Sequence, residues 1–319
     1  TDDTAVLNEL VVQGADGSIL LPVNADTYPE LFDEQEMFPS VKTYMTGTMF
    51  DEVYHGRTAY EFLHGLTTYE TTHPHLGKIL ISMGILGFGM TPFGWRFMSA
   101  FFGILIIPVM YLFAKKLLKN TYLATATAAL LVFDCMHFTL SRIATIDIFA
   151  AFFILLMYYY LYQYFTVDQA YRKSRNALTD SFPPSSVYTP LALCGINMAF
   201  GIATKWTGVY AGLGLGILFV WYTLMNFPKK QWTRLLGFCC VFFIAIPLIV
   251  YTLCFIPVVG YTPYKNLLDK VISGTQYMFH YHSTLVAEHY YSSPFYEWPV
   301  IWMPLLDAND AVNSHLKRY

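Results

Sequence analysis

Of 319 residues, 55% are hydrophobic and only 13% are charged, about half the charged share of a soluble domain, and mean hydropathy is +0.41. That is too little charge to coat a soluble globule, so the chain reads as an integral membrane protein. Net charge is −3 with no cationic face, which excludes a nucleic-acid partner because a phosphate backbone requires one.

The chain opens polar, without a signal peptide, and is expected to be a trimmed chain or fragment. Eleven of its 22 acidic residues precede Val53, offset by Lys42 alone. Residues 1–96 are expected to form an external acidic segment and a first external loop. Within that loop lie Asp51-Glu52 and the run His73-Pro74-His75-Leu76-Gly77-Lys78. The proline suits the entrance to a helix. The apolar run Leu76–Met90 falls short of the ~17 residues that cross hydrocarbon, so it predicts a helix lying at the interface.

Residues 97–257 predict a bundle of about six spans. They are Phe97–Ala114, Thr121–Phe138, Ile143–Phe165, the shorter Tyr188–Thr204, Trp206–Met225 and Leu235–Pro257. Lys115, Lys116 and Lys119 follow the first span, and Arg172, Lys173 and Arg175 follow the third. Lys229, Lys230 and Arg234 separate the last two. Basic residues in alternate loops put those loops in the cytoplasm. Residues 1–96, the turns near Ser141 and Lys205, and the His- and aromatic-rich segment 258–319 then lie outside. The five cysteines all fall in apolar runs and read as small hydrophobes, not a disulfide framework.

This topology gathers Asp51, Glu52, Arg96, Arg142, Asp147 and Lys205, from separate segments, at one face. A carboxylate of raised pKa there can act as general base. An arginine near hydrocarbon needs an anion, either protein or ligand, and Asp134 is one candidate partner for Arg142. Lys78 can meet a phosphate or a headgroup, or simply snorkel to the interface. The plain alternative for Asp51-Glu52 is a solvated pair at a helix start. The aromatic tail can be an interfacial belt or the lining of a site. His73, His75, His280 and His282 are metal-capable, but nothing in the sequence orients them as a tetrahedral set and HExxH is absent, so no metal site is assigned.

Seven pieces, in order from Phe50 to Pro299, resemble the protein O-mannosyltransferase family, polyprenyl-phosphate-dependent glycosyltransferases of the GT-C type. They are Phe50-Asp51-Glu52-Val53-Tyr54-His55, His73-Pro74-His75-Leu76-Gly77-Lys78, and Arg96-Phe97-Met98 with Gly103. Then come Ser141-Arg142-Ile143 with Asp147, Lys205-Trp206-Thr207-Gly208, Tyr281-His282-Ser283, and Trp298-Pro299. The sequence departs from the family where His75 replaces a second proline. It departs again in the tail, where Pro294 and Phe295 follow His289-Tyr290-Tyr291-Ser292-Ser293 in place of a cation and Trp. The large soluble domain that eukaryotic members insert is absent, which favours a bacterial type. A first span before the acidic pair and further spans after Pro299 are also missing.

The resemblance implies an all-α polytopic GT-C-like bundle with external interfacial helices. It implies an inverting enzyme that moves mannose from a polyprenyl-phosphate donor to Ser/Thr hydroxyls of exported proteins. Asp51 and Glu52 would be the catalytic pair, with Asp51 as base. Arg96, Arg142 and Lys205 would meet the donor phosphate, and His73, Lys78, Asp147, His280, His282 and His289 would support. No cofactor is implied and a divalent cation is disfavoured. Partners would be the lipid-linked donor, the acceptor polypeptide, membrane lipids and translocation machinery, in the plasma membrane with an external active face, or in the ER membrane for a eukaryotic chain. The alternatives are a related transferase with a lipid or glycan acceptor, a transporter, or a non-catalytic membrane partner.

Overall fold

The computed structural model of the chain describes residues 12–14, 18–27, 32, 47–174, 184–286 and 296. His289, with most of the tail, and Arg175 of the third-span loop lie outside the described residues. Residues 1–48 and 49–319 are separate compact units. In the first, strand β1 (Val12–Gln13) pairs antiparallel with β2 (Ile19–Leu20), Val12 opposite Leu20.

The described part of the second unit is helical, with α1 (Glu52–His64), α2 (Leu76–Phe88), α3 (Pro92–Leu118), α4 (Thr121–Val132), α5 (Cys135–Leu140) and α6 (Asp147–Ser174). It continues with α7 (Ser185–Thr204), α8 (Thr207–Asn226), α9 (Trp232–Cys239), α10 (Ile246–Leu253) and α11 (Leu267–Thr284). Five helices are long and apolar enough to cross a membrane: α3, α6, α7, α8 and a composite last span, Lys229–Leu253. The protein is a multi-pass membrane protein. At 1.5 Å per residue, the 20-residue α8 is about 30 Å long, the thickness of the hydrocarbon layer.

The sequence itself sets the breaks. The Thr91 side chain accepts the Gly94 N–H and Pro92 opens α3, as suits a first helical position. The Asn120 side chain accepts the N–H groups of Tyr122 and Leu123 to start α4. Thr121–Phe138, expected as one span, is instead two short helices. The Asp134 carboxylate turns back to accept the His137 N–H at 2.7 Å, capping α5. A carboxylate inside an apolar run is more stable at a helix start than within an unbroken span. In the last span, a wider π-turn over Cys240–Ala245 joins α9 to α10.

One core lies between α1, α2, α3 and α6. There Phe102 makes edge contacts with Phe149 and Phe152, both at 4.9 Å between centroids, over buried Ile81 and Ile85. A second joins α6, α7, α8 and α9 through Leu161, Leu191, Leu215 and Leu235. At its edge Asp168, fully buried, accepts Arg172 Nε at 2.6 Å and the Tyr222 hydroxyl at 2.7 Å. A buried carboxylate needs such partners, and these pin α6 to α8.

The start of α2 is wedged against the turn that precedes α6 and the last residue of α7. A Cβ added at Gly77 would stand 2.6 Å from Ile146 Cγ2 and 3.3 Å from Thr204 Cγ2. Gly77→Val is therefore expected to cost about 1–3 kcal/mol through overpacking and to lower the unfolding temperature in detergent. Gly87→Ala, with nothing within 4 Å of the added atom, should not lower it. Equal melting of the two variants would show that the contact is not tight.

Candidate functional site

Phe50 sits in the left-handed region at φ 53, uncommon for a bulky residue, immediately before Asp51 and Glu52. Glu52 is fully buried. Its Oε1 accepts Arg96 Nε at 2.7 Å and the Ala144 N–H at 2.8 Å, and its Oε2 accepts Arg96 Nη2 at 2.6 Å and the Met49 N–H at 2.7 Å. A two-pronged guanidinium and two backbone donors satisfy this buried charge. Glu52, expected beside Asp51 as a reacting carboxylate, is thus an anchor. Arg96, expected at a donor phosphate, has its fork on Glu52.

A second carboxylate, absent from the sequence-based expectations, organises the segment that leads into α2. Glu70 Oε1 accepts the Thr72 N–H at 2.8 Å and lies 3.3 Å from His73 Nδ1. The Thr72 hydroxyl and Lys78 Nζ also bond this carboxylate, and Lys78 Nζ donates to the Glu70 and His73 carbonyls at 3.0 Å each. Burial pushes the Glu70 carboxyl up, but the Lys78 ammonium and the bonds from His73, Lys78 and Thr72 outweigh it and hold it well below the usual carboxylate range. Lys78 is completely buried. It is no snorkelling or headgroup-facing lysine, because an ammonium so far from water is held by the carboxylate it pairs with. Burial also lowers the Lys78 and His75 pKa values, and that of His55 to about 3, so both imidazoles are neutral.

Asp51 differs. It is half-buried at the start of α1, yet its side chain makes no cap hydrogen bond, and among the described residues none donates to it. Burial and the nearby Asp147 and Glu70 charges raise its pKa, against His73 and Lys205. Asp147 accepts Lys205 Nζ at 2.6 Å, at the start of α6 and just past the end of α7.

Arg142 stands apart. It is exposed, its guanidinium lies 3.7 Å above the Phe138 ring, and no described carboxylate pairs with it. Asp134, the partner expected for it, caps α5 instead. The α11 segment returns to the first loop, where the His282 ring N–H donates to the Thr72 carbonyl at 2.9 Å and the ring stacks edgewise on His73 at 5.1 Å. His280 is exposed and its ring makes none of these contacts. The loop is also tied to the last span, since Thr68 N donates to Val259 O at 2.8 Å and Val259 N to Thr68 Oγ1 at 3.0 Å. Among the described residues no group of three His, Cys, Asp or Glu side chains is placed to hold a metal ion.

Residues 86–259 match the family model for dolichyl-phosphate-mannose-protein mannosyltransferase. The chain is 25% identical to a polyprenol-phosphate-mannose–protein mannosyltransferase of Mycolicibacterium smegmatis (strain MKD8), over 82% of the chain and 59% of that protein. It is 27% identical to a protein of the same name from Mycobacterium tuberculosis (strain ATCC 25618 / H37Rv), over 53% and 35%. The chain thus spans only part of the length of these relatives. Its fold is similar to the S. cerevisiae protein O-mannosyltransferase Pmt1-Pmt2 complex bound to the sugar donor (TM-score 0.54, 23% identity, 65% of this chain and 30% of that one). It is also similar to ArnT from Cupriavidus metallidurans (TM-score 0.53, 17% identity, 81% and 44%). At such identities the two structures show the shared helical architecture.

Removing either partner of the Glu70–Lys78 pair strands a buried charge, at a cost of about 3–5 kcal/mol. Glu70→Gln and Lys78→Met are each expected to destabilise strongly, and the double variant to cost clearly less than their sum. Additive losses in a double-mutant cycle of unfolding would show that the two do not interact.

Proposed function

Because the protein belongs to the dolichyl-phosphate-mannose-protein mannosyltransferase family, we propose that it serves in inverting transfer of mannose from a polyprenyl-phosphate donor to a Ser/Thr hydroxyl of an exported polypeptide. The reading rests on one observation. Of the four carboxylates in residues 49–96, Glu52, Glu61 and Glu70 all accept hydrogen bonds, whereas Asp51 is left open, with a raised pKa, beside the Asp147–Lys205 pair.

In this proposal the acceptor oxygen attacks the anomeric carbon of mannose, and Asp51 takes its proton. The bond from that carbon to the phosphate oxygen breaks, and polyprenyl phosphate leaves with the electron pair. Lys205, partly exposed and shared with Asp147, and the exposed Arg142 stabilise the charge that grows on the phosphate. A phosphate departs as an anion, so no general acid is required. Arg96 acts through Glu52 as a positioning residue, and His73 and His282 frame the pocket wall. The active face is external and the Lys- and Arg-rich loops are inside, in the plasma membrane for a bacterial type of chain.

The test is transfer from radiolabelled polyprenyl-phosphate-mannose to a Ser/Thr peptide in membranes containing the full-length protein. Asp51→Asn is expected to lower kcat by about 10²–10⁴-fold, the usual worth of a positioned base, with normal insertion. Full activity in that variant removes Asp51 as base, and a glycolipid in place of a glycopeptide product removes the acceptor assignment. A base works only when unprotonated. The acidic limb of the rate profile should therefore lie above the ordinary aspartate value of about 3.9, since burial and Asp147 raise the Asp51 pKa. Arg142→Ala and Lys205→Ala should impair use of the donor more than of the peptide, and equal loss for both substrates would contradict a phosphate role.

A further inference from the structure

Glu61 of α1 is buried, at 5% exposure, yet it holds together groups that lie at the surface. Its Oε1 accepts Arg57 Nε and its Oε2 accepts the Tyr69 N–H, both at 2.8 Å. Gly65, in the left-handed region at φ 63, ends α1. The chain then returns along the helix, where the Glu70 N–H donates to Thr58 Oγ1 at 3.0 Å. That return sets the Tyr69 ring beside α1. The Arg57 guanidinium lies 4.1 Å above the Tyr69 ring centroid. The Tyr54 ring runs nearly parallel to Tyr69, with 17° between planes and 6.2 Å between centroids. Tyr54 and Tyr69 are 43% and 47% exposed, and Arg57 is exposed as well. No described residue bonds the two tyrosine hydroxyls or the Nη groups of Arg57.

This array is continuous with Asp51. Asp51 has helical dihedrals and its carbonyl accepts the Tyr54 N–H at 3.1 Å, so Asp51, Tyr54 and Arg57 follow one another at i, i+3 spacing, as neighbours on a helix surface. Arg57 stands six residues, about 9 Å, along α1 from Asp51. An extended polypeptide advances about 3.3 Å per residue. An acceptor with its hydroxyl at Asp51 and its chain along this row therefore passes Tyr54 after one or two residues and Arg57 after two or three. Flat aromatic faces beside outward hydrogen-bond donors are the kind of surface that docks proline-containing segments, since the pyrrolidine ring packs on the aromatics and the donors take backbone carbonyls. The Arg57 charge is already compensated by Glu61, so the surface fits a neutral segment, not an acidic one. We propose that Tyr54, Tyr69 and Arg57 form an acceptor subsite. A proline one or two residues from the reacting Ser/Thr packs on Tyr54, and a carbonyl oxygen two or three residues away accepts from the Arg57 Nη groups. The inference rests on the reading of Asp51 as the base in transfer to a polypeptide. A belt tyrosine is placed by the membrane–water interface alone, whereas here one buried carboxylate fixes both the Tyr69 backbone and the cation above its ring.

The experiment uses the full-length protein in detergent and fluorescent peptides with a single Thr and either Pro or Ala at the neighbouring positions. Binding is read by anisotropy, beside transfer from polyprenyl-phosphate-mannose. The proline peptides are expected to bind more tightly than the alanine ones. Tyr54→Ala and Arg57→Ala should each weaken binding, and raise the peptide KM, by about five-fold or more, with kcat and the donor KM unchanged. Tyr54→Phe keeps the ring and should keep the proline preference. Peptide binding that survives Asp51→Asn and is lost in Tyr54→Ala supports the subsite even where Asp51→Asn still transfers mannose, so the subsite and the base fail separately. Equal binding of the proline and alanine peptides overturns the proposal. So does binding unmoved by both alanine variants, or a donor KM that rises together with the peptide KM. Unchanged peptide binding, with an unfolding temperature lowered in lipid nanodiscs but not in detergent, overturns it in favour of a lipid-facing surface. Displacement of the peptide by an equal concentration of methyl mannoside overturns it in favour of a sugar platform.

Discussion

Glu52 is a carboxylate with no access to water, and it is tolerated because Arg96 and two backbone N–H groups, Met49 and Ala144, saturate it. These donors come from three separate places: the start of the first loop, the first turns of α3, and the turn before α6. A buried charge is stabilised only when all its partners arrive together, so this one group fixes the three segments relative to each other. Asp51 is its chain neighbour and Asp147 lies three residues beyond Ala144. The backbone positions next to Asp51 and Asp147 are therefore tied to the bonds that Glu52 makes.

Glu70 repeats the arrangement in the segment that leads into α2, with Lys78 in place of arginine. Its neighbours His55 and His75 are neutral by burial, so this part of the chain presents a compensated charge pair and uncharged rings. Around Asp51, fixed charges are thus balanced locally, while no described side chain or backbone group donates to the Asp51 carboxylate. Such fixed, paired surroundings suit electrostatic stabilisation, because dipoles and charges need not reorganise when reaction charge develops.

Much of this was legible in the sequence. Four of the six expected spans stand as single helices, and the expected last span runs through α9, the π-turn and α10, because length and apolarity are local properties. The short helix at Leu76 was legible as a short apolar run, and Asp51, Glu52, Arg96, Asp147 and Lys205 stood out as polar residues in an apolar chain. Pairing was not. Whether Arg96 meets a ligand or Glu52 depends on a contact 44 residues apart in the chain, which no local pattern encodes. Glu70 was missed because it sits in a polar loop without periodicity, although a lysine beside an apolar helix start was a hint that some carboxylate had to reach it. The break at Asp134 was written in a signal that was read differently: an aspartate three residues before His137, in the spacing of a helix cap.

The paired hydrogen bonds between Thr68 and Val259, and the bond from His282 to Thr72, join parts of the chain 191 and 210 residues apart. During synthesis the first loop emerges long before the segments that complete its hydrogen bonding. Closing so long a loop carries an entropic cost met only when the distant contacts form. These contacts form only after the Lys229–Leu253 span has been made, so a nascent chain stalled short of that point lacks the bonds that Val259 and His282 make to the first loop.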